Sequence, residues 1–367
     1  MNAAEPRWSQ DDHAAMQRAL ALAAKGLFTT DPNPRVGCVL VRDGEVVGEG
    51  WHERAGGPHA EPRALAMAGE AARGATAYVT LEPCSHHGRT PPCADALVRA
   101  GVTRVVHALR DPFPQVSGRG TQRLREAGIT VEEGLCAAEA RELNPGFLKR
   151  MESGRPFVRL KLAMSLDART ALADGSSRWI SGEAARTDVQ QWRARSSAVL
   201  SGVGTVLADD PTLDVRLPGT TRQPLRVILD SRLRTPPQSR LLRAEGPVLL
   251  VAAAGAPPEA LQAAGAEVLH LPTDAAGRPP LAAVLAELAR RAVNELHVEA
   301  GPTLAGAWLA AGLVDELLLY VAPTLLGGGA RPLAHLPALA SLEQRGHWRY
   351  TDVRSVGDDL RLTLRPL

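Results

Sequence analysis

Hydrophobic positions along this chain switch between a helical and an alternating period, and the switches mark out successive elements. Met16, Leu20 and Ala23 recur at helical spacing behind Ser9, which has Asp12 three residues on in capping-box register, and Gly26 supplies a stop. The spacing predicts a helix there. Two alternating runs follow at 36–41 and 45–50, joined by Asp43-Gly44, a pair suited to the positive backbone angles of a hairpin turn. A helix after Glu61, a strand at 75–81, a helix near 94–100 and strands at 102–109 and near 129–132 continue the alternation of a layered α/β sheet.

A helical stretch at 137–143 then meets Asn144-Pro145-Gly146, and Gly154-Arg155-Pro156 comes soon after. Pro and Gly interrupt regular backbone pairing, so these clusters predict a boundary: a domain at 1–146, a linker at 147–156 and a domain at 157–367. Past the boundary, strands are predicted at 157–163, 198–201, 225–229, 248–252, 267–271, 296–299, 317–321 and 360–364. Helices at 183–194, 281–293 and 304–311 lie between some of them. This is a second α/β domain, with no repeat relating it to the first.

Composition narrows the class. A chain of 367 residues has room for two or three cores at about 150 residues each. Net charge is +2, from 42 basic and 40 acidic residues, a balance that argues against affinity built on neutralising many nucleic-acid phosphates. Only Lys25, Lys149 and Lys161 are lysines, so the basic residues are nearly all arginine. Four cysteines (Cys38, Cys84, Cys93, Cys136) are too few for a disulfide framework, and Cys38 and Cys136 read as small buried residues. The first thirty residues lack a signal-peptide pattern, and nowhere do about eighteen apolar residues run together without a charge. The expectation is a cytoplasmic protein with no nucleic-acid or membrane partner.

Four of the ten histidines and two of the four cysteines fall between His52 and Cys93. Within that window His59-Ala60-Glu61 precedes Pro83-Cys84 and then Cys93. One imidazole and two thiolates are three ligands for one zinc ion, leaving the fourth position to water, as in catalytic sites. Glu61 is not a ligand here. Two residues past His59 at the start of a helix, it can take a proton from that water and pass it to a leaving amine. Order and spacing are those of zinc-dependent amino-hydrolases of nitrogen heterocycles, except that eight residues separate the cysteines where two are usual. His52, His86 and His87 are each open as a fourth ligand of a structural zinc.

The interval Cys84-Ser-His-His-Gly-Arg-Thr-Pro-Pro-Cys93, with Asn33-Pro34-Arg35-Val36-Gly37-Cys38, resembles the deaminase half of the bifunctional riboflavin-biosynthesis deaminase/reductase family. That resemblance implies a cytidine-deaminase-like α/β/α domain with a pocket lined by Asn33, His52, His86 and Arg89, Asn33 bonding the pyrimidine edge. An amide and imidazoles suit a polar heterocycle, and Arg89 a phosphate. The stretch beginning Asp111-Pro-Phe-Pro also resembles the family, although Phe113 stands where Asn is usual.

The second half has no GxGxxG motif; Gly301-Pro-Thr-Leu-Ala-Gly306, between a predicted strand and helix, could turn backbone amides toward a phosphate or be a plain tight turn. Its run Lys161-Leu-Ala-Met-Ser-Leu-Asp-Ala-Arg-Thr170 is followed by Ser177-Arg-Trp179, Arg193-Ala-Arg195-Ser196 and Asp209-Asp210-Pro211-Thr-Leu213-Asp-Val-Arg216. This order resembles the reductase half of the same family, whose α/β fold is like dihydrofolate reductase. The resemblance implies NADPH contacts at Ala163, Trp179, Thr205, Asp209 and Ser231, and along Gly301, Pro302, Thr303, Leu304, Ala305, Gly306 and Ala307. It implies substrate contacts at Ser177, Arg193, Leu213, Arg216 and Glu299. Arg193 and Arg216 are of the type that clamps a phosphorylated sugar, and Glu299 ends a predicted strand, where α/β sheets place ligands. No general acid is identified for this half; Asp209 and Asp210 are candidates by position.

The leading expectation is a two-step enzyme with one zinc ion and NADPH, acting on a phosphorylated pyrimidine, and compatible with a homo-oligomer. A deaminase of a free base, nucleotide or tRNA is the enzymatic alternative. A zinc-stabilised regulator whose second domain only senses a nucleotide is the non-enzymatic one.

Overall fold

Ser9 caps the first helix as its spacing predicts: its hydroxyl accepts from the Asp12 N–H at 3.1 Å while Asp12 accepts from the Ser9 N–H at 2.8 Å. This helix, α1 (Gln10–Ala24), lies against the hairpin of β1 (Gly37–Arg42) and β2 (Glu45–Trp51). The contact is close because Gly37 has no side chain; a Cβ there would meet the Ala19 carbonyl oxygen at 2.0 Å. The computed structural model describes residues 8–85, 91–113 and 117–367, and the chain divides into two units, Met1–Gly154 and Arg155–Leu367.

The first unit continues with α2 (Ala60–Ala68), β3 (Thr76–Val79), α3 (Cys93–Ala100), β4 (Arg104–His107), α4 (Arg119–Glu126), β5 (Thr130–Glu133), α5 (Ala137–Leu143) and α6 (Pro145–Ser153). Its five strands run in the order β2-β1-β3-β4-β5, with β1 antiparallel to both neighbours and β3, β4 and β5 parallel. Buried side chains form two clusters, one holding Met16, Val39 and Leu148 and the other Leu40, Val79 and Leu97, so successive residues of β1 feed different clusters.

The expected linker at 147–156 is mostly helix. Pro145 sits in the first turn of α6, where a missing N–H breaks no bond, and Gly154 in a left-handed conformation ends it. The chain therefore changes unit between Gly154 and Arg155. The helix α4 escaped the sequence reading because, of its eight residues RGTQRLRE, only Leu124 is a strongly apolar residue.

The second unit is built on a nine-stranded sheet of β6 (Phe157–Ser165), β8 (Ala198–Gly202), β9 (Leu225–Leu229), β10 (Val248–Ala253), β11 (Glu267–Leu271), β12 (Glu295–Glu299), β13 (Glu316–Ala322), β15 (Trp348–Val356) and β16 (Asp359–Pro366). Their order is β11-β10-β9-β8-β12-β6-β13-β16-β15, parallel from β11 to β13, with the final hairpin antiparallel. A small ribbon of β7 (Arg169–Ala171) and β14 (Arg331–Pro332) stands apart. The edge strand β15 is half-exposed along its whole length, so it offers no apolar alternation to read.

Helices α7 (Glu183–Arg195), α8 (Val203–Asp209), α9 (Arg240–Arg243), α10 (Glu259–Ala263), α11 (Leu281–Arg290) and α12 (Pro302–Ala310) connect the strands. One sheet face is apolar, packing Leu160, Leu200 and Val298 around the fully buried Trp308. The opposite face of the central strands is charged. Arg159 bonds Glu295 at 3.0 Å and Glu316 at 2.6 Å, and the α7 side chain Trp192 lies under the Arg159 guanidinium at 4.5 Å. That charged layer runs on to Glu299 at the carboxyl end of β12 and to Lys161, its register partner in the middle of β6.

Candidate active sites

In the first unit two helix starts and one loop converge. His59 is the N-cap of α2, Cys93 is the first residue of α3, and Cys84 lies in the loop after β3. His59 Nδ1 is 3.7 Å from Cys84 Sγ and 3.3 Å from Cys93 Sγ, and the three donor atoms lie within 4.8 Å of one another. A tetrahedral zinc with ordinary bond lengths spaces nitrogen and sulfur by about 3.5 Å, so the cluster has the dimensions of that ion. Bonds from Cys93 and His59 hold the Cys84 thiol well below the ordinary thiol range, and the helix start at Cys93 favours negative charge there. No fourth ligand joins the group among the described residues.

Glu61, in the first turn of α2, is 3% exposed, and its Oε2 has no hydrogen-bond partner. Burial first, and then the nearby Cys84, push its carboxyl up to about 7. A buried acid of that kind beside a zinc ligand set is suited to accept and return one proton.

His52 is not a fourth ligand. Its Nδ1 donates to the Pro58 carbonyl at 3.0 Å, and its Nε2 accepts from the Asn33 amide at 3.0 Å, so both nitrogens are engaged. Its ring stands edge-on to His59 with centroids 5.4 Å apart, which brings Asn33 to the cluster. With one Asn33 amide N–H on His52, the side-chain oxygen is placed to accept from an N–H of a heterocycle. His86 and Arg89, like His87, lie outside the described residues. One positioning residue was missed: buried Glu82 accepts from the N–H groups of Asp111, Gly118 and Thr121 and so ties Asp111 to the start of α4.

In the second unit a cleft of about 1920 Å³ opens at the carboxyl ends of the parallel strands, the position where open α/β sheets bind ligands. It gathers Ala163, Trp179, Thr205, Asp209, Ser231, Gly301, Pro302, Thr303, Leu304 and Ala307, with Ser177, Arg193, Leu213, Arg216 and Glu299. Ala305 and Gly306 do not line it. Ala305 is buried in the core, and Gly306 faces the other way: a Cβ there would meet the His335 carbonyl oxygen at 2.0 Å. The expected glycine turn is the start of α12, with Gly301 as its N-cap, so free N–H groups face the cleft.

Nine arginines and Lys161 line the cleft against four carboxylates, a strongly cationic lining in a chain whose total charge is only +2. Arg193 grips Glu299 with two bonds, 2.5 and 3.0 Å, and donates to the Asp214 carbonyl at 2.9 Å. Burial alone would raise the Glu299 carboxyl, yet Arg193, His297 and Lys161 hold it well below the usual range. Arg216 is exposed and bonded to Asp214 at 2.5 Å, and Trp179 is 69% exposed with the Arg186 guanidinium over its ring at 4.5 Å.

Lys161 is the residue that sequence reading passed over. It is half-buried beside Glu299 and lines the cleft, and burial lowers its ammonium pKa from the ordinary lysine value. Being one of only three lysines was the signal that could have singled it out. Asp209 lies at the end of α8, half of its side chain in solvent, as an exposed helix end would be.

Comparison with known proteins agrees with both halves. Residues 9–109 match the cytidine and deoxycytidylate deaminase zinc-binding region, and residues 156–362 match the RibD C-terminal domain. The chain is 52% identical over 368 residues to the riboflavin biosynthesis protein RibD of Escherichia coli K12, covering 96% of this chain and 99% of that one. Among solved structures, Acinetobacter baumannii RibD superposes with a TM-score of 0.92 at 48% identity, covering 98% of this chain and 99% of that one. A diaminohydroxyphosphoribosylaminopyrimidine deaminase/5-amino-6-(5-phosphoribosylamino)uracil reductase of Thermotoga maritima does so with 0.86 at 34%, covering 97% and 99%. A zinc-binding, cytidine-deaminase-like domain followed by an NADPH-dependent, dihydrofolate-reductase-like domain places this chain in the RibD family of bifunctional riboflavin-biosynthesis deaminase/reductases.

Proposed function

We propose that the first unit deaminates diaminohydroxyphosphoribosylaminopyrimidine and the second reduces the resulting 5-amino-6-(5-phosphoribosylamino)uracil, as in the Thermotoga relative, and that both steps occur in the cytoplasm. The observation that carries the reading is Glu61, a buried carboxylate with a free oxygen at a ligand set of zinc dimensions. His59, Cys84 and Cys93 would hold the ion, which when bound supplies the Lewis acidity that makes water nucleophilic at neutral pH.

Glu61 takes one proton from the attacking water and returns it to the amino group as the carbon–nitrogen bond breaks, so ammonia leaves and a carbonyl remains. Asn33, oriented by His52, holds the pyrimidine edge through its free oxygen. His86 and Arg89 are assigned to the same pocket from the family pattern.

In the cleft, bound NADPH supplies a hydride. The start of α12 and Ser231, which line the cleft, would hold its phosphates, and Ala163, Trp179, Thr205 and Asp209 would complete the cofactor wall. Arg193 and Arg216 receive the substrate phosphate, while Ser177, Leu213 and Glu299 fix the rest of the molecule. Hydride adds at the anomeric carbon, the bond to the ring oxygen breaks, and that oxygen takes a proton from the Lys161 ammonium, giving a ribityl chain.

The test is a coupled assay with metal analysis on one purified chain. Ammonia release and NADPH oxidation, both dependent on the phosphoribosylaminopyrimidine, are expected with one zinc per chain. Absence of NADPH oxidation with authentic deaminated intermediate would remove the reductase half and leave the deaminase standing.

A further inference from the structure

The deaminase pocket is tied to a part of the chain that the general deaminase match does not reach. That match ends at residue 109, whereas Asn144 lies at the junction of α5 and α6. Asn144 is 2% exposed and spends its whole amide on one residue. Its Oδ1 accepts from the Arg35 N–H at 2.8 Å and its Nδ2 donates to the Arg35 carbonyl at 2.8 Å. The pair copies the two-bond exchange between partnered strands, with a side chain in the role of a neighbouring backbone. Arg35 adds a third bond, from its guanidinium to the Leu143 carbonyl at 2.8 Å.

Arg35 is two residues beyond Asn33. Between Asn33 and the start of β1 the backbone is irregular: the Asn33 N–H bonds the Thr30 carbonyl at 2.8 Å, the Val36 carbonyl accepts from the His52 N–H at 2.9 Å, and between them Asn144 holds both backbone groups of Arg35. Asn144 is itself anchored, because Leu148 one turn further on is buried in the cluster that holds Met16 and Val39, and its N–H bonds the Asn144 carbonyl at 3.1 Å. The path is therefore short: α6 core, Asn144, two hydrogen bonds to the Arg35 backbone, Asn33 two residues along the chain, and then a hydrogen bond to the His52 ring beside His59.

We propose that Asn144 is a positioning residue of the deaminase step, setting through the Arg35 backbone the distance at which Asn33 meets the pyrimidine. It touches neither substrate nor metal. The inference rests on the reading of Asn33 as the group that binds the pyrimidine edge. Its signature is a weakened grip on substrate with the proton-transfer apparatus intact, since Glu61, His59 and Cys93 are held by the starts of α2 and α3 and Cys84 by the loop after β3.

The experiment compares Asn144→Ala, Asn144→Asp and Asn33→Ala in the full chain. The readouts are steady-state ammonia release, zinc content, and NADPH oxidation with the deaminated intermediate. Asn144→Ala is expected to raise the deaminase KM about tenfold with kcat within about twofold, an effect in the range that remote misplacement produces. Zinc content and reductase rate stay at wild type. Asn144→Asp keeps an acceptor for the Arg35 N–H but sets a buried carboxylate oxygen against the Arg35 carbonyl, so its KM rises at least as far as that of Asn144→Ala. A wild-type KM in both Asn144 variants overturns the inference. So does a joint fall of kcat and zinc content, which general loosening of the unit would give. If Asn33→Ala leaves KM unchanged, the reading of Asn33 fails instead; if it raises KM while the Asn144 variants do not, only the inference about Asn144 fails.

Discussion

The bidentate pair of Arg193 and Glu299 gives a prediction whose size follows from its geometry. Arg193 is 8% exposed, with two bonds of 2.5 and 3.0 Å to the carboxylate. Glu299→Gln removes the negative charge and leaves the guanidinium with the Asp214 carbonyl and one amide oxygen. Breaking a buried pair from one side costs about 3–5 kcal/mol, because a desolvated charge is left without its counter-charge. The retained amide acceptor favours the lower end, ~3 kcal/mol. For a domain of this size, about 2–4 °C of melting temperature is lost per kcal/mol. The second unit should therefore melt roughly 6–12 °C lower, while the first unit and ammonia release stay unchanged. Differential scanning calorimetry on the single variant and on Arg193→Leu with Glu299→Leu is the decisive assay. The double variant buries no uncompensated guanidinium, so it should recover at least half of the loss. A double variant no more stable than Glu299→Gln, or a single variant that melts like wild type, would refute the reasoning.

Other consequences are as direct. Glu61→Ala should lower ammonia release by about 10²–10⁴-fold and keep zinc bound, read by rate and metal analysis on one sample. Loss of zinc would make Glu61 structural. If Lys161 donates its proton, reduction fades as pH rises through its pKa, which burial sets below the ordinary lysine value. Because Glu299 opposes that shift, Glu299→Gln should move the alkaline limb of the NADPH-oxidation profile to lower pH, and an unmoved limb counts against Lys161 as donor. Arg232 and Arg234, which follow Ser231, line the cleft with no bonded side-chain partner among the described residues. Replacing both with Ala should raise KM for NADPH more than for NADH, and equal effects would place the cofactor's extra phosphate elsewhere.

Much of this was legible in the sequence because the chemistry is local. His59, Glu61, Cys84 and Cys93 sit at helix starts and in one loop, where spacing along the chain nearly fixes spacing in three dimensions. The hairpin at Asp43-Gly44 and the helix 137–143 were readable for the same reason. What was missed depends on distant partners. Lys161 acquires its character from Glu299, and Asn144 from Arg35, 109 positions back. The breakers at 144–146 were read as the end of the first domain, with a linker at 147–156, because Pro in a first helical turn and Pro in a loop look alike until the next turn is known to be buried. Alternation cannot reveal β15, whose side chains meet solvent on both faces.

The charge imbalance of the cleft has a kinetic consequence. A chain with net charge +2 exerts little long-range pull on an anion. A recess lined by ten cations and four carboxylates concentrates its field at the cleft. Both reductase ligands carry phosphate, so their capture should be accelerated by that local field and slowed as salt shortens its reach, from about 10 Å at 0.1 M to about 3 Å at 1 M. The hydride step within the filled cleft, already shielded from solution, should scarcely respond. Ionic strength thus separates arrival from chemistry in this half of the enzyme: kcat/KM falls with salt while kcat holds.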